Sequence, residues 1–327
     1  MTWWQALIAA GAVPGSGRKG DQPEAADHAD LAEGTELQAY AVGPAQIPAE
    51  VSFLNGIERW SVVAYDGVAQ IVSAFVAAAV RRRDKNGVLH TTSERSRAFA
   101  IAPLERMSPS LREILEQPGA GEVGADVEPM DGALVGQPAR YLEQVESTVR
   151  RVRAHLEREL AEACIDKLGA AEWLVLDGLL SRSPAVARHP RALGVIKSHG
   201  AQFLEGRGLE RALTLPAGYR TSVFAVRGGH TRTEVYSWYL RLWPWEGNDL
   251  FYGLLRIEAR AHPDTVARAS ELSGWLFAER APLATPATRW DRLLYPLHHV
   301  EEYLKALAPP LREIRLQRAS RLPRTGT

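Results

Sequence analysis

"VSFLNGIERWSVVAYDGVAQ", residues 51–70, decides how the fold begins. Two polar-glycine steps, Asn55-Gly56 and Asp66-Gly67, interrupt an otherwise apolar stretch. Such dipeptides between strand-like runs are strong hairpin signals, because both residues tolerate the positive φ that a tight turn needs. Taken as turns, they divide the region into "VSFLNG", "RWSVVAYDG" and "VAQIVSAFVAAAVRRR", three consecutive antiparallel strands. Taken otherwise, one step ends a strand with a functional side chain. A third step, Asp177-Gly178 in "LVLDGLLS" (174–181), raises the same choice.

Further along, "KNGVLHTTSERSRAFAIAPL" (85–104) adds a turn at Asn86-Gly87 and more strand. Residues 117–138 are turn-rich and read as a flexible insertion. Residues 139–168 then carry Leu142, Val145, Val149, Val152, Leu156, Leu160 and Cys164 at spacings of three or four. That is one apolar stripe of a long helix, with Cys164 as a core residue near its end. "EWLVLDGLLS" (172–181) follows as a short continuous apolar run, the pattern of a central strand buried on both faces. "RALGVIKSHG" (191–200) repeats it.

The later chain is strand-rich: "TSVFAVR" (221–227), "EVYSWYLRLW" (234–243) and "LFYGLLRIEARAH" (250–262). Tyr236, Trp238, Leu240 and Leu242 alternate with Ser237, Tyr239 and Arg241, the period of a strand. Two helices are expected after it, one capped by Asp264 and one with Pro296 in its first turn. The resulting order is an α/β fold with a mixed sheet, flanking helices and a strand-rich C-terminal extension. Antiparallel opening strands that lead through a helix into a central strand follow the ribonuclease H-like plan.

Bulk properties exclude some classes. The chain has 327 residues, 46% hydrophobic, with 39 basic and 39 acidic side chains, so net charge selects no partner. One cysteine leaves no internal disulfide and no cysteine-based zinc cage, and points to a reducing cytoplasm. The start has no basic leader, and no run of about 18 apolar residues suggests a membrane span. Residues 2–10 suit a short helix, which packs on the body or docks a partner. Residues 1–48 as a whole read as an arm or linker, 49–310 as the folded domain, and 311–327 as a basic tail.

Asp177 is the leading candidate for chemistry, since a carboxylate at the end of a central strand is rigidly placed. Phosphodiester hydrolysis with divalent metals needs several oxygen donors around the ions. Among the helix glutamates, Glu157 borders the apolar stripe and can face the sheet. Lys197, Arg241 and Arg256 are candidates to hold phosphate along a DNA backbone, as is His298 of the His298-His299 pair. A solvated face of mixed charge accounts for the basic residues equally well.

At these residues the chain resembles the NurA family, nucleases that work with HerA-type hexameric ATPases on DNA ends. The resemblance spans about 51–305 through the early residue-Gly step, the helix glutamate, "LVLDGLLS", "GVIKSH", "RIEA" and "YPLHHVEEYL". It implies a ribonuclease H-like core, a homodimer, Mn²⁺ (or Mg²⁺), and single- or double-stranded DNA ends as substrate. Carried over, Asp177 and Glu157 are metal ligands, Lys197 is the lysine after the next strand, and one histidine of "YPLHHVEE" joins the site. The first family motif is Asp-Gly, whereas this chain has Asn55-Gly56 there. Asn55 offers a carbonyl oxygen without charge, which implies weak metal binding and low activity. The other register makes Asp66 the ligand and restores a full acidic triad. Two alternatives accompany the nuclease reading: a catalytically weak subunit that binds DNA and docks the motor, and an α/β scaffold with no nucleic-acid role.

Overall fold

The structure, a computed structural model, describes residues 29–116, 127–228, 231–282 and 290–310. Its elements begin with β1 (Ala29–Leu31), β2 (Ala39–Ala41), β3 (Val51–Asp66), β4 (Ala69–Arg83) and β5 (Leu89–Ala102). Helix α1 (Pro109–Glu116), β6 (Val127–Pro129) and the long α2 (Pro138–Ile165) come next. The central region holds β7 (Trp173–Asp177), α3 (Pro184–Arg188), β8 (Ala192–Ile196) and α4 (Gly206–Leu213). The described chain finishes with β9 (Tyr219–Thr221), β10 (Phe224–Gly228), β11 (Thr231–Arg241), β12 (Leu254–Arg260), α5 (Pro263–Ala278) and α6 (Tyr295–Leu307). The fold is therefore mixed α/β, with six α-helices among the described residues. None of them is long and apolar enough to cross a membrane.

The first of two compact units comprises the described parts of Met1–Leu54, Arg81–His90 and Ala161–His299. Its strand order is β1-β10-β11-β12-β8-β7-β3, followed by the last residues of β4 and the first of β5. β3, β7 and β8 are mutually parallel, with Leu54 opposite Leu176 and Asp177 opposite Val195. β12 runs antiparallel to β8, and β11 to β12. Buried parallel strands read as unbroken apolar runs because both faces are covered. Trp173–Leu176 and Ala192–Ile196 are indeed buried throughout.

Residues 29–48, expected as part of an arm, contribute strands instead. β1 pairs with β10 and β2 with β9. Glu33 grips the buried Arg220 through both carboxylate oxygens, at 2.6 and 2.9 Å. Alternation on β11 does not separate a core face from a solvent face either. Ser237, Tyr239 and Arg241 are as buried as Trp238 and Leu240, because the strand lies between β10 and β12 with both faces covered. The cap of α5 also differs from expectation. His262 is the N-cap and accepts from the Asp264 N–H, leaving Asp264 inside the first turn.

The second unit comprises the described parts of Asn55–Val80, Thr91–Leu160 and Val300–Thr327. Here the expected hairpin at Asn55-Gly56 is absent, and β3 continues unbroken to Asp66. Gly56 is not among the glycines with positive φ, whereas Gly67 (φ 58°) makes the turn into β4. β5 pairs in parallel with β6, and Asp131 caps a short 3-10 helix by accepting from the Ala133 N–H. The expected flexible insertion thus contains ordered structure at 127–138, and residues 117–126 lie outside the described residues. The suggested N-terminal helix and the basic tail also lie outside them. Helix α2 buries Val145, Val149, Val152, Leu156 and Leu160 as its spacing predicts. Tyr141 joins that stripe and donates its hydroxyl to the Gln70 carbonyl at 2.8 Å. Cys164 is partly buried in the first unit, and burial pushes its thiol up to about 11, so it is inert at neutral pH.

Candidate functional site

In the first unit, β7 and β8 bring Asp177 and Lys197 together. Asp177 is registered with Val195 on the parallel neighbour, and Lys197 follows two residues later on the same face. Their side chains meet at 2.6 Å, Lys197 Nζ to Asp177 Oδ2, and are only 11% and 19% exposed respectively. The pair stands where two parallel strands end, the usual location of ligands in open α/β sheets.

The turn after Asp177 is held from outside its own strand. Gly178 has φ 143° and donates its N–H to the Val195 carbonyl at 3.0 Å. The Leu180 and Ser181 N–H groups donate to Oε2 of Glu258, at 2.8 and 3.4 Å. Glu258 lies on β12 opposite Gly194 of β8 and is fully buried. A side chain at Gly194 would bring its Cβ to 2.5 Å from the Gly178 carbonyl and 3.2 Å from Leu180, so this glycine makes room for the turn. Arg256 balances the buried carboxylate, donating to Glu258 Oε1 at 2.8 Å and lying over the Phe203 ring at 4.6 Å.

The predicted phosphate ligands Arg241 and Arg256 are corrected by their burial. Both are under 4% exposed. Arg241 directs its guanidinium at the carbonyls of Leu213, Leu215, Leu250 and Tyr252. Burial pushes its pKa down to about 10, still above neutral pH. Neither arginine reaches a solvent-borne phosphate. His298 packs edge-on against Trp290, with ring centroids 5.0 Å apart. Its neighbour His299 accepts at Nδ1 from Arg81 at 2.8 Å, which leaves the proton of the neutral ring on Nε2.

In the second unit, Glu157 of α2 lies against β3 at Gly56. A Cβ on Gly56 would collide with Glu157 Oε1 and stand 3.1 Å from the Ala77 carbonyl. Arg153 sits between carboxylates, 3.1 Å from Glu58 and 3.6 Å from Glu157. A groove of about 510 Å³ opens there, lined by Gly56 to Arg59, Arg153, Glu301 and Lys305. Asn55 is 3% exposed and its Oδ1 accepts the Gly56 N–H at 2.8 Å. Asp66 is not a neighbour of this group. It ends β3 eleven residues beyond Asn55, about 35 Å along a strand, and its carboxylate accepts the Ser108 N–H. The register that made Asp66 a ligand beside Glu157 is thus excluded.

Among the described residues, no group of three or more His, Cys, Asp or Glu side chains is gathered as a metal ion would need. Asp177 Oδ2 faces an ammonium, and the Asn55 carbonyl is turned onto its own backbone.

Glu258 and Gly194 escaped the reading of the chain. The available signal was an Arg256–Glu258 pair inside "LLRIEA", since charges flanked by Leu255, Ile257 and Ala259 on a buried strand must satisfy each other or a neighbour. A scan against protein-family models matches none, and no curated protein is significantly similar to the chain.

Proposed function

We propose that this protein is a DNA-end-processing subunit of the NurA kind, with a ribonuclease H-like core and Asp177 as its principal acidic group. It would act beside a HerA-type ATPase, and as a homodimer. The observation that carries the reading is the Asp177–Lys197 pair at the carboxyl ends of adjacent parallel strands. The order β5-β4-β3-β7-β8, with β3, β7 and β8 parallel, supports the ribonuclease H-like plan. Chemically, the carboxylate orients a water and accepts its proton as the oxygen attacks phosphorus; the P–O bond to one sugar oxygen breaks, and that oxygen leaves with the bonding pair and takes a proton from solvent. The ammonium stabilises charge that develops on a non-bridging phosphate oxygen. No step is assigned to a metal.

A second reading, a catalytically weak subunit that binds DNA and docks the motor, is favoured by Asn55. Its uncharged oxygen is already bonded to the Gly56 N–H where an acidic ligand is expected.

Digestion of linear single- and double-stranded DNA by the full-length protein, with and without Mn²⁺, tests both. In the first reading, Asp177→Ala lowers cutting by about 100-fold or more. Cutting unchanged in Asp177→Ala sinks the site. Salt-sensitive DNA binding without cutting selects the second reading. Neither binding nor cutting leaves an α/β scaffold.

A further inference from the structure

We infer that Glu258 is the positioning residue for Asp177, acting through the turn that follows it; the catalytic part of this inference rests on the reading of Asp177 given above. Three observations converge. Glu258 is fully buried, yet it comes from β12, two strands away from β7 in the sheet order. Its Oε2 receives the N–H groups of Leu180 and Ser181, which open the short 3-10 helix Leu180–Arg182. Gly194, its registered partner on the intervening strand, leaves the room that the turn itself occupies, since a Cβ there would meet the Gly178 carbonyl and Leu180.

The side of Glu258 facing away from the turn is fixed equally well. Arg256 donates to Oε1 and also lies 3.3 Å from Ser237 Oγ, which in turn donates to the Ile257 carbonyl at 2.7 Å. Both carboxylate oxygens therefore face donors only. A glutamine cannot satisfy this arrangement, because one end of its amide is itself a donor and must oppose either Arg256 or the two backbone N–H groups. The turn has no equivalent anchor on its own strand: Gly178 contributes one N–H bond to Val195, at a φ reserved for glycine. Loosening at Leu180 and Ser181 is thereby passed directly to Asp177, three residues before Leu180, and to its contact with Lys197.

The test compares wild type, Glu258→Gln and Glu258→Ala in the full-length protein by residue-resolved hydrogen exchange, together with steady-state DNA cutting. Expected is an acceleration of about 10- to 100-fold at the Leu180 and Ser181 amides in Glu258→Gln, the loss of a charge-assisted bond. The amides of Leu193, Val195 and Ile257 stay protected. Where wild type cuts DNA, kcat falls by a similar factor with KM for DNA unchanged. Unchanged exchange at Leu180 and Ser181 overturns the inference, as does uniform acceleration across the sheet, which marks a merely structural residue. A fall confined to KM overturns it too. Glu258→Gln decides the matter even if Glu258→Ala fails to fold. A wild type that cuts no DNA ends the nuclease reading, while the exchange result still decides whether Glu258 sets the turn.

Discussion

At the scale of single residues, Gly56 shows how one missing side chain joins a helix to a strand. The glycine is used for the room it leaves rather than for a turn, since the Glu157 carboxylate occupies the space of its Cβ. Gly56→Ala is expected to cost about 1–3 kcal/mol through overpacking. Combining it with Glu157→Ala should recover part of that loss, and a double-mutant cycle in urea measures the coupling. Additive costs would show that the two residues do not meet. In the sequence this glycine was indistinguishable from a hairpin glycine, because Asn-Gly carries the same local signal whether the chain turns or continues. Asp177 was legible for the opposite reason: four apolar residues before it fix a buried strand, and a buried strand fixes where its end lies.

At the scale of elements, the parallel core strands and the long helix follow from the sequence, since their periodicities reflect burial that the fold confirms. Arg241 and Arg256 are not phosphate ligands, because period two tells which residues share a face and not whether that face meets solvent. Arg241 instead ties β11 to the segments around Leu213–Leu215 and Leu250–Tyr252. Arg241→Met should therefore lower stability by at least about 3 kcal/mol, as several buried carbonyls lose their donors. Lysine should not rescue it, for its compact ammonium cannot spread over four carbonyls. Under the proposed function, the dependence of DNA affinity on salt should stay the same in both variants, because a buried cation displaces no counterions. A shallower salt slope in Arg241→Met would restore Arg241 as a phosphate ligand.

For the molecule as a whole, one buried histidine ties stability to acid. His199 stacks on Phe251 at 4.9 Å and donates Nε2–H to the Leu254 carbonyl at 3.0 Å. Burial, with the Arg292 guanidinium nearby, pushes its pKa down to about 3 from 6.5. Between those values the unfolded chain binds a proton that the folded chain refuses. Stability should thus be indifferent to this group above pH 6.5 and fall by up to about 1.4 kcal/mol per pH unit below it, until pH 3. His199→Gln keeps a donor for Leu254 and should flatten that dependence between pH 7.5 and 5 in urea unfolding. An equally steep fall in the variant would assign the acid sensitivity elsewhere.

The pairing of β1 with β10 also has a consequence in time. Ala29 meets Val226 and Leu31 meets Phe224, contacts that span most of the chain. A ribosome adding roughly 5–20 residues per second needs about 10–40 s to travel from one to the other. The first strand among the described residues must therefore wait for β10 before it can dock, and the Glu33–Arg220 clasp joins residues 187 positions apart in the chain.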